Sequence, residues 1–142
     1  MQIDHTDIKE RVQATIDYIE DNPEKKIKLE ELAEIACYSV FHYHRVFKEI
    51  VGQTAMDYLR KRRLARAAQD LKETSQPIVD IALKYQFYSQ ESFTRAFTGE
   101  YGISPARFRK NMSPVTLLHR KNVVKRAVRQ NAPQISCMLK AA

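Results

Sequence analysis

The chain has little glycine, three residues in 142, no tryptophan and only two cysteines. So little glycine favours helices, the more so because no segment alternates β-branched and polar residues. Cys37 and Cys137 are too few for the disulfide framework of a small secreted domain, which points to a reducing compartment. No apolar run approaches the roughly 20 residues that span a bilayer. The opening MQIDHTDIKE lacks the basic-then-apolar layout of a signal peptide, so the expectation is a cytoplasmic protein with no membrane partner. The absence of most consequence is acid. None follows Glu100, while nine Lys and Arg do; before that point 15 basic residues meet 17 acidic ones. A basic end suits nucleic acid or an anionic surface, and on charge alone a solvated tail is an equally open reading. Hydrophobic residues at 44% and charged residues at 29% indicate a folded globular chain, not a disordered one.

What is present reads as a succession of helices. Ile8, Val12, Ile16 and Ile19 recur at helical spacing over residues 7–21, which end at Asn22-Pro23. A short helix follows at KLEELAEIA, with Leu29, Leu32, Ala33 and Ala36 on one face. Ser39 caps a helix from about 40 to 51 that stops at Gly52. Thr54 caps the longest candidate, residues 55–74, with Leu64, Ala68 and Leu71 as its apolar stripe. Pro77 suits the first turn of a short helix, PIVDIALKY. Ser89 caps a helix over about 90–101, and Ser104 caps a last one that begins at Pro105.

This succession repeats. YHRVFKEIVG at 43–52 and FTRAFTGEYG at 93–102 share an aromatic, an Arg, a Phe and a Gly in register. Around them Ala33 matches Ala82, Thr54 matches Ser104 and Tyr58 matches Phe108. The offset is 49 before the turn and 50 after it, so the second copy carries one extra turn residue. Two copies point to a duplicated supersecondary unit, not a solenoid. Short helix, tight turn and capped second helix are the layout of a helix-turn-helix, whose second helix enters the DNA major groove.

In the first copy Tyr43, Phe47, Ile50 and Val51 should be buried, leaving Phe41, Arg45 and Lys48 outward, flanked by His42 and His44. In the second, Phe93, Phe97 and Tyr101 should be buried, with Gln90, Glu91, Thr94, Arg95 and Thr98 outward. An Arg fork can bond guanine O6 and N7 together, Gln90 can read adenine, and Glu91 can accept from cytosine or pair with Arg95. A single exposed Arg is ordinary solvated charge. Two in equivalent places of a repeat, each after a capped turn, favour base reading. Ser39 and Ser89, at helix N-termini, suit phosphate. Arg60, Arg62, Arg63 and Arg66 on the long helix suit the intervening backbone, and Lys48, Thr98, Arg107 and Arg109 are expected to join them there. About 20 helical residues span roughly 30 Å, close to the roughly 34 Å turn of DNA that separates successive grooves.

With these residues in place, the sequence resembles the AraC/XylS family of bacterial transcription regulators over about residues 7–112. The resemblance runs through LAEIACYSVFHYHRVFKEIVGQTAMDYLRKRRLARAAQDL and the more specific IVDIALKYQFYSQESFTRAFTGEYGISPARFRK. The chain is most similar to the short members without a separate sensor domain. The resemblance implies an all-α fold of two helix-turn-helix subdomains joined by a long helix. It implies base contacts by Phe41, His42, His44 and Arg45 in one groove and by Gln90, Glu91, Thr94 and Arg95 in the other. It also implies double-stranded DNA as partner, a monomer on DNA in the bacterial nucleoid, and activation through RNA polymerase. The expected organisation is a first subdomain over 1–53, a connecting helix over 54–74, a second subdomain over 75–112 and a basic tail over 113–142. The sequence departs from the family pattern at two turns: Cys37 and Gln86 stand where members usually have Gly. A positive φ there would cost each on the order of 1 kcal/mol.

Other chemistries find little support. Cys37, His42 and His44 suggest a metal, but His42 and His44 point about 200° apart on a helix and no further ligand cluster is near. No Gly-rich phosphate loop, HExxH or nucleophile elbow is present. The expectation is no metal, no cofactor and no enzyme. The rival readings are a low-specificity architectural DNA binder, favoured by the basic tail and the unusual turns, the reading domain of a longer regulator with a C-terminal sensor, and an interaction scaffold.

Overall fold

Seven helices and no strand make up the described part of the protein, residues 5–111 of a computed structural model. The expected tail over 113–142 and Cys137 lie outside the described residues. The chain divides into two compact units, and the division falls inside the longest helix, between Tyr58 and Leu59. Among the described residues no helix is long and apolar enough to cross a membrane.

The first unit holds α1 (His5–Asp21), α2 (Leu29–Ala36), α3 (Val40–Val51) and the first turn of α4 (Ala55–Glu73). The spacing of Val12, Ile16 and Ile19 puts all three on one side of α1, fully buried. Helix α1 stops where Asn22 meets Pro23, and the Asn22 side chain donates to the Tyr18 carbonyl at 2.9 Å. Helix α2 opens without a side-chain cap, but Glu30 and Glu31 in its first turn complement the positive end of the helix dipole. It closes on Cys37 at φ 61°. There Tyr38 N–H donates to the Ala33 carbonyl and Cys37 N–H to that of Glu34, each at 3.0 Å, the pair of bonds that closes a Schellman turn. Ser39 then accepts from His42 N–H at 3.2 Å to start α3, and Gly52 at φ 87° ends it. Tyr43, Phe47 and Tyr58 form a chain of rings, with centroids 5.7 and 6.0 Å apart. The buried stripe of α3 differs from expectation at three residues. Val46 is buried, whereas Ile50 and Val51 are half-buried; Val46 lies three residues after Tyr43, on the same side of the helix.

The second unit takes α4 from Leu59 onward, α5 (Ile78–Lys84), α6 (Gln90–Tyr101) and α7 (Pro105–Lys110), together with the short segment Pro23–Lys26. Its core joins Leu64, Ala67, Ala68 and Leu71 of α4 to Ile81, Ala82, Tyr85, Phe93, Phe97 and Phe108. Pro77 sits at the N-cap of α5 and not in its first turn. Helix α5 closes on Gln86 at φ 67°, with Phe87 N–H to Ala82 O at 3.0 Å and Gln86 N–H to Leu83 O at 3.1 Å. This is the same pair of bonds as at Cys37. Neither residue is glycine, so each holds a backbone conformation that costs an L-residue about 1–2 kcal/mol. Ser89 and Ser92 form a reciprocal capping box, and Gly102 at φ 73° ends α6. Phe93, Phe97 and Phe108 repeat the ring chain, at 5.7 and 5.4 Å.

Segment 23–26 is bound into the second unit through its backbone. Arg63 Nε donates to the Pro23 carbonyl at 3.0 Å, Arg63 Nη2 to that of Lys25 at 2.6 Å, and Gln86 Nε2 to that of Glu24 at 2.7 Å. Asp70 organises the neighbouring polar group. Its Oδ2 accepts from Lys84 Nζ at 2.9 Å and from the Tyr85 hydroxyl at 2.8 Å. The Asp70 hydrogen bond raises the Lys84 pKa.

Candidate nucleic-acid interface

The outer face of α3 is exposed throughout. Phe41 is 73% accessible, and His42, His44, Arg45 and Lys48 are exposed with it. Behind them Tyr43 and Phe47 are completely buried, so the side chains that fix the helix and those it presents alternate at the 3.6-residue period. On α6 Gln90, Glu91, Arg95 and Thr98 are exposed and Thr94 is half-buried, over fully buried Phe93 and Phe97. Glu91 and Arg95, four residues apart, form no ion pair with each other among the described residues. Gly99 continues this face, and a Cβ built on it would meet nothing within 4 Å.

Both helices begin at a serine whose side-chain oxygen takes the N–H of the third helical residue, His42 in α3 and Ser92 in α6. Ser39 is exposed and Ser89 half-buried. The second N-terminus is the more fully closed. Ser92 Oγ also accepts from Ser89 N–H at 3.0 Å, a bond with no counterpart at His42.

Of the expected phosphate contacts, Arg60, Lys48, Thr98 and Arg107 are exposed and Arg62 is half-buried. Arg63 and Arg109 depart from that expectation. Arg63 is committed to the carbonyls of segment 23–26, and burial lowers its pKa. Arg109 Nε donates to the Leu71 carbonyl at 3.0 Å and Nη2 to that of Thr74 at 3.4 Å, satisfying acceptors at the C-terminus of α4. Both are engaged within the second unit. Their acceptors lie 35 or more residues away in sequence, beyond the reach of periodicity.

Two buried groups lie behind the outer faces. Burial pushes the Tyr43 phenol well above its ordinary pKa, and its hydroxyl donates to Thr15 Oγ1 at 2.9 Å. The Tyr101 hydroxyl is buried with no hydrogen-bond partner among the described residues, and burial, followed by Glu100, pushes it up to about 12. No group of three or more His, Cys, Asp or Glu that could hold a metal occurs among the described residues. Tyr88, to which neither periodicity nor motif assigns a role, is 96% accessible and occupies the extra position in the second turn. The one-residue change of offset is the only sequence signal for it.

Two helices of one build, each capped by serine, seated on aromatics and carrying an outward Arg, define a double helix-turn-helix. A family model described as "Helix-turn-helix domain" matches residues 32–111. The chain is 42% identical over 92 residues to the HTH-type transcriptional activator AarP of Providencia stuartii, a match that covers 65% of this chain and 68% of that protein. It is 44% identical over 105 residues to the uncharacterized HTH-type transcriptional regulator YbfP of Bacillus subtilis. That match covers 74% of this chain and only 36% of the B. subtilis protein. Among solved structures, a transcriptional regulator of Chromobacterium violaceum with an AraC-type DNA-binding domain superposes with a TM-score of 0.67 at 28% identity, covering 70% of this chain and 89% of that one. The chain belongs to the AraC/XylS family of helix-turn-helix transcription regulators. The matched residues form the DNA-binding domain type of these transcription regulators.

Proposed function

We propose that the protein binds an asymmetric promoter site as a monomer, with α3 in one major groove and α6 in the next, and that it activates transcription through contact with RNA polymerase. One observation carries the reading. The seats of the two helices are alike, while their outward side chains differ at every position except Arg45 and Arg95. Phe41 stands against Glu91, His42 against Ser92, His44 against Thr94 and Lys48 against Thr98. A symmetric site would waste that difference; an asymmetric one uses it. Arg45 and Arg95 each offer the bidentate fork that selects guanine. Phe41 carries no hydrogen-bonding atom, so the base-edge group it suits is the C5 methyl of thymine. Gln90, Glu91 and Thr94 on α6, and His42 and His44 on α3, offer hydrogen bonds. Ser39, Lys48, Arg60, Arg62, Ser89, Thr98 and Arg107 are assigned to phosphate. The likeness to AarP, a protein named as an activator, supports the direction of control.

The test is selection of binding sites from random duplex DNA by the intact chain, repeated with Arg45→Ala and Arg95→Ala. The expected product is one non-palindromic motif, with each variant relaxing one half of it at a cost of about 1–3 kcal/mol. A palindrome bound by two copies would sink the monomer reading. Absence of any motif, with a steep salt dependence, would favour the architectural alternative.

A further inference from the structure

The two turns that lead into the reading helices differ by one residue, and that residue is Tyr88. In the first unit a single residue, Tyr38, separates left-handed Cys37 from the cap Ser39. In the second, Phe87 and Tyr88 separate left-handed Gln86 from Ser89. The residue before an N-cap ordinarily packs its apolar side chain against the fourth residue of the helix, the hydrophobic staple. At α6 that contact is made one residue earlier, by Phe87, whose ring lies 5.2 Å from Phe93. Tyr88 is thereby left out of the core. At 96% accessible, it is the most exposed of the large hydrophobic side chains in the described residues. Its counterpart Tyr38, by contrast, lies 4.5 Å from His42 and under the guanidinium of Arg11.

A ring held in water contributes nothing to the fold, yet it stands immediately before the N-terminus of the helix assigned to the second groove. In that arrangement the residues flanking the helix start run alongside the phosphate backbone. A tyrosine hydroxyl is a neutral donor of the kind that bonds phosphate oxygen. We propose that Tyr88 is a further DNA-binding residue, whose hydroxyl donates to a backbone phosphate beside the second half-site, a contact the first half-site lacks. This rests on α6 being the groove helix.

The experiment measures binding of the full chain to a duplex carrying its selected site, and to a scrambled duplex, across a salt series. The variants are Tyr88→Phe, Tyr88→Ala and Arg95→Ala. Loss of the hydroxyl should weaken binding by about ten- to a hundredfold, equally in both Tyr88 variants and on both duplexes, because a hydrogen bond to a charged group is among the stronger ones. The salt slope should stay that of the unaltered protein, since no cation is removed. Thermal melting should not move, because the ring touches nothing in the fold. Unchanged binding by Tyr88→Ala alongside relaxed binding by Arg95→Ala would overturn the Tyr88 contact and leave the groove reading standing. Wild-type binding by Tyr88→Phe with weakened binding by Tyr88→Ala would replace the hydroxyl with a ring contact and overturn the proposal as stated. If Arg95→Ala changed nothing, the groove reading and the Tyr88 contact would fall together.

Discussion

The two units place the same triplet of rings in the same spacing but choose different rings. The first uses Tyr43, Phe47 and Tyr58; the second uses Phe93, Phe97 and Phe108. The difference lies in what stands behind the rings. In the first unit α1 presents polar groups to them. Tyr43 donates to Thr15 Oγ1, which donates in turn to the Val12 carbonyl at 2.7 Å, and Tyr58 reaches Glu20 Oε1 at 3.4 Å. In the second unit the long helix is α4, and it meets the rings with Leu64, Ala67, Ala68 and Leu71. Buried hydroxyls are mostly partnered; within the two triplets tyrosine stands where α1 supplies an acceptor and phenylalanine where the facing stretch of α4 is apolar, although Tyr101 beside the second triplet keeps an unpartnered hydroxyl. Duplicated scaffolds thus keep ring geometry while the polarity of each ring follows its neighbour.

The comparison breaks most sharply when a central ring is removed. Phe47→Ala and Phe97→Ala should each cost about 3–5 kcal/mol, read as a lowered midpoint in urea. Similar losses are expected in the two units, because both residues are fully buried and each joins the two other rings of its triplet, Phe97 packing on Tyr101 as well. Markedly unequal losses would show that the two cores are not equivalent.

Exchanging the ring types is a finer probe. Phe93→Tyr should bury a hydroxyl where the surrounding core is apolar, at a cost of about 1–3 kcal/mol. Tyr43→Phe, which deletes one half of a satisfied pair and leaves Thr15 its bond to Val12, should cost about 1 kcal/mol. Thermal melting of the two variants side by side tests the order. A larger loss in Tyr43→Phe would mean that ring polarity does not follow the neighbouring helix.

The smallest effect is expected on the outer faces, where α3 has Glu49 and α6 has Gly99. A glycine inside a helix costs about 1 kcal/mol relative to alanine, and a Cβ there meets open space. Gly99→Ala should therefore raise stability by up to about 1 kcal/mol, seen as a higher melting temperature. A lowered one would mean that the glycine answers a constraint within the fold.

Much of this architecture is legible in the sequence, because its punctuation is local. Ser39, Ser89 and Ser104 cap the helices they precede, Gly52 and Gly102 end α3 and α6, and the ring spacing follows from the 3.6-residue period. The left-handed turns at Cys37 and Gln86 are legible only as a suspicion, since neither residue prefers that conformation. What cannot be read is long-range. Arg63 and Arg109 look like any other basic side chain on a helix until their distant carbonyl acceptors are known. The hydroxyl partners of Tyr43 and Tyr58 lie 28 and 38 residues away. On the candidate interface, the exposure of Phe41, Arg45 and Arg95 follows from the helical wheel. The isolation of Tyr88 does not, because the same turn could have packed either of its two aromatics against Phe93.

The carbonyls of Pro23, Glu24 and Lys25 bear on how such a protein can be recombined. They satisfy Arg63 and Gln86 of the second unit, although the chain on either side of them belongs to the first. Neither unit is therefore a continuous stretch of polypeptide. A chimera that takes its second unit from a relative by joining the chains within α4 would leave the incoming Arg63 and Gln86 equivalents facing a foreign linker. The exchange becomes self-consistent when residues 23–26 travel with it.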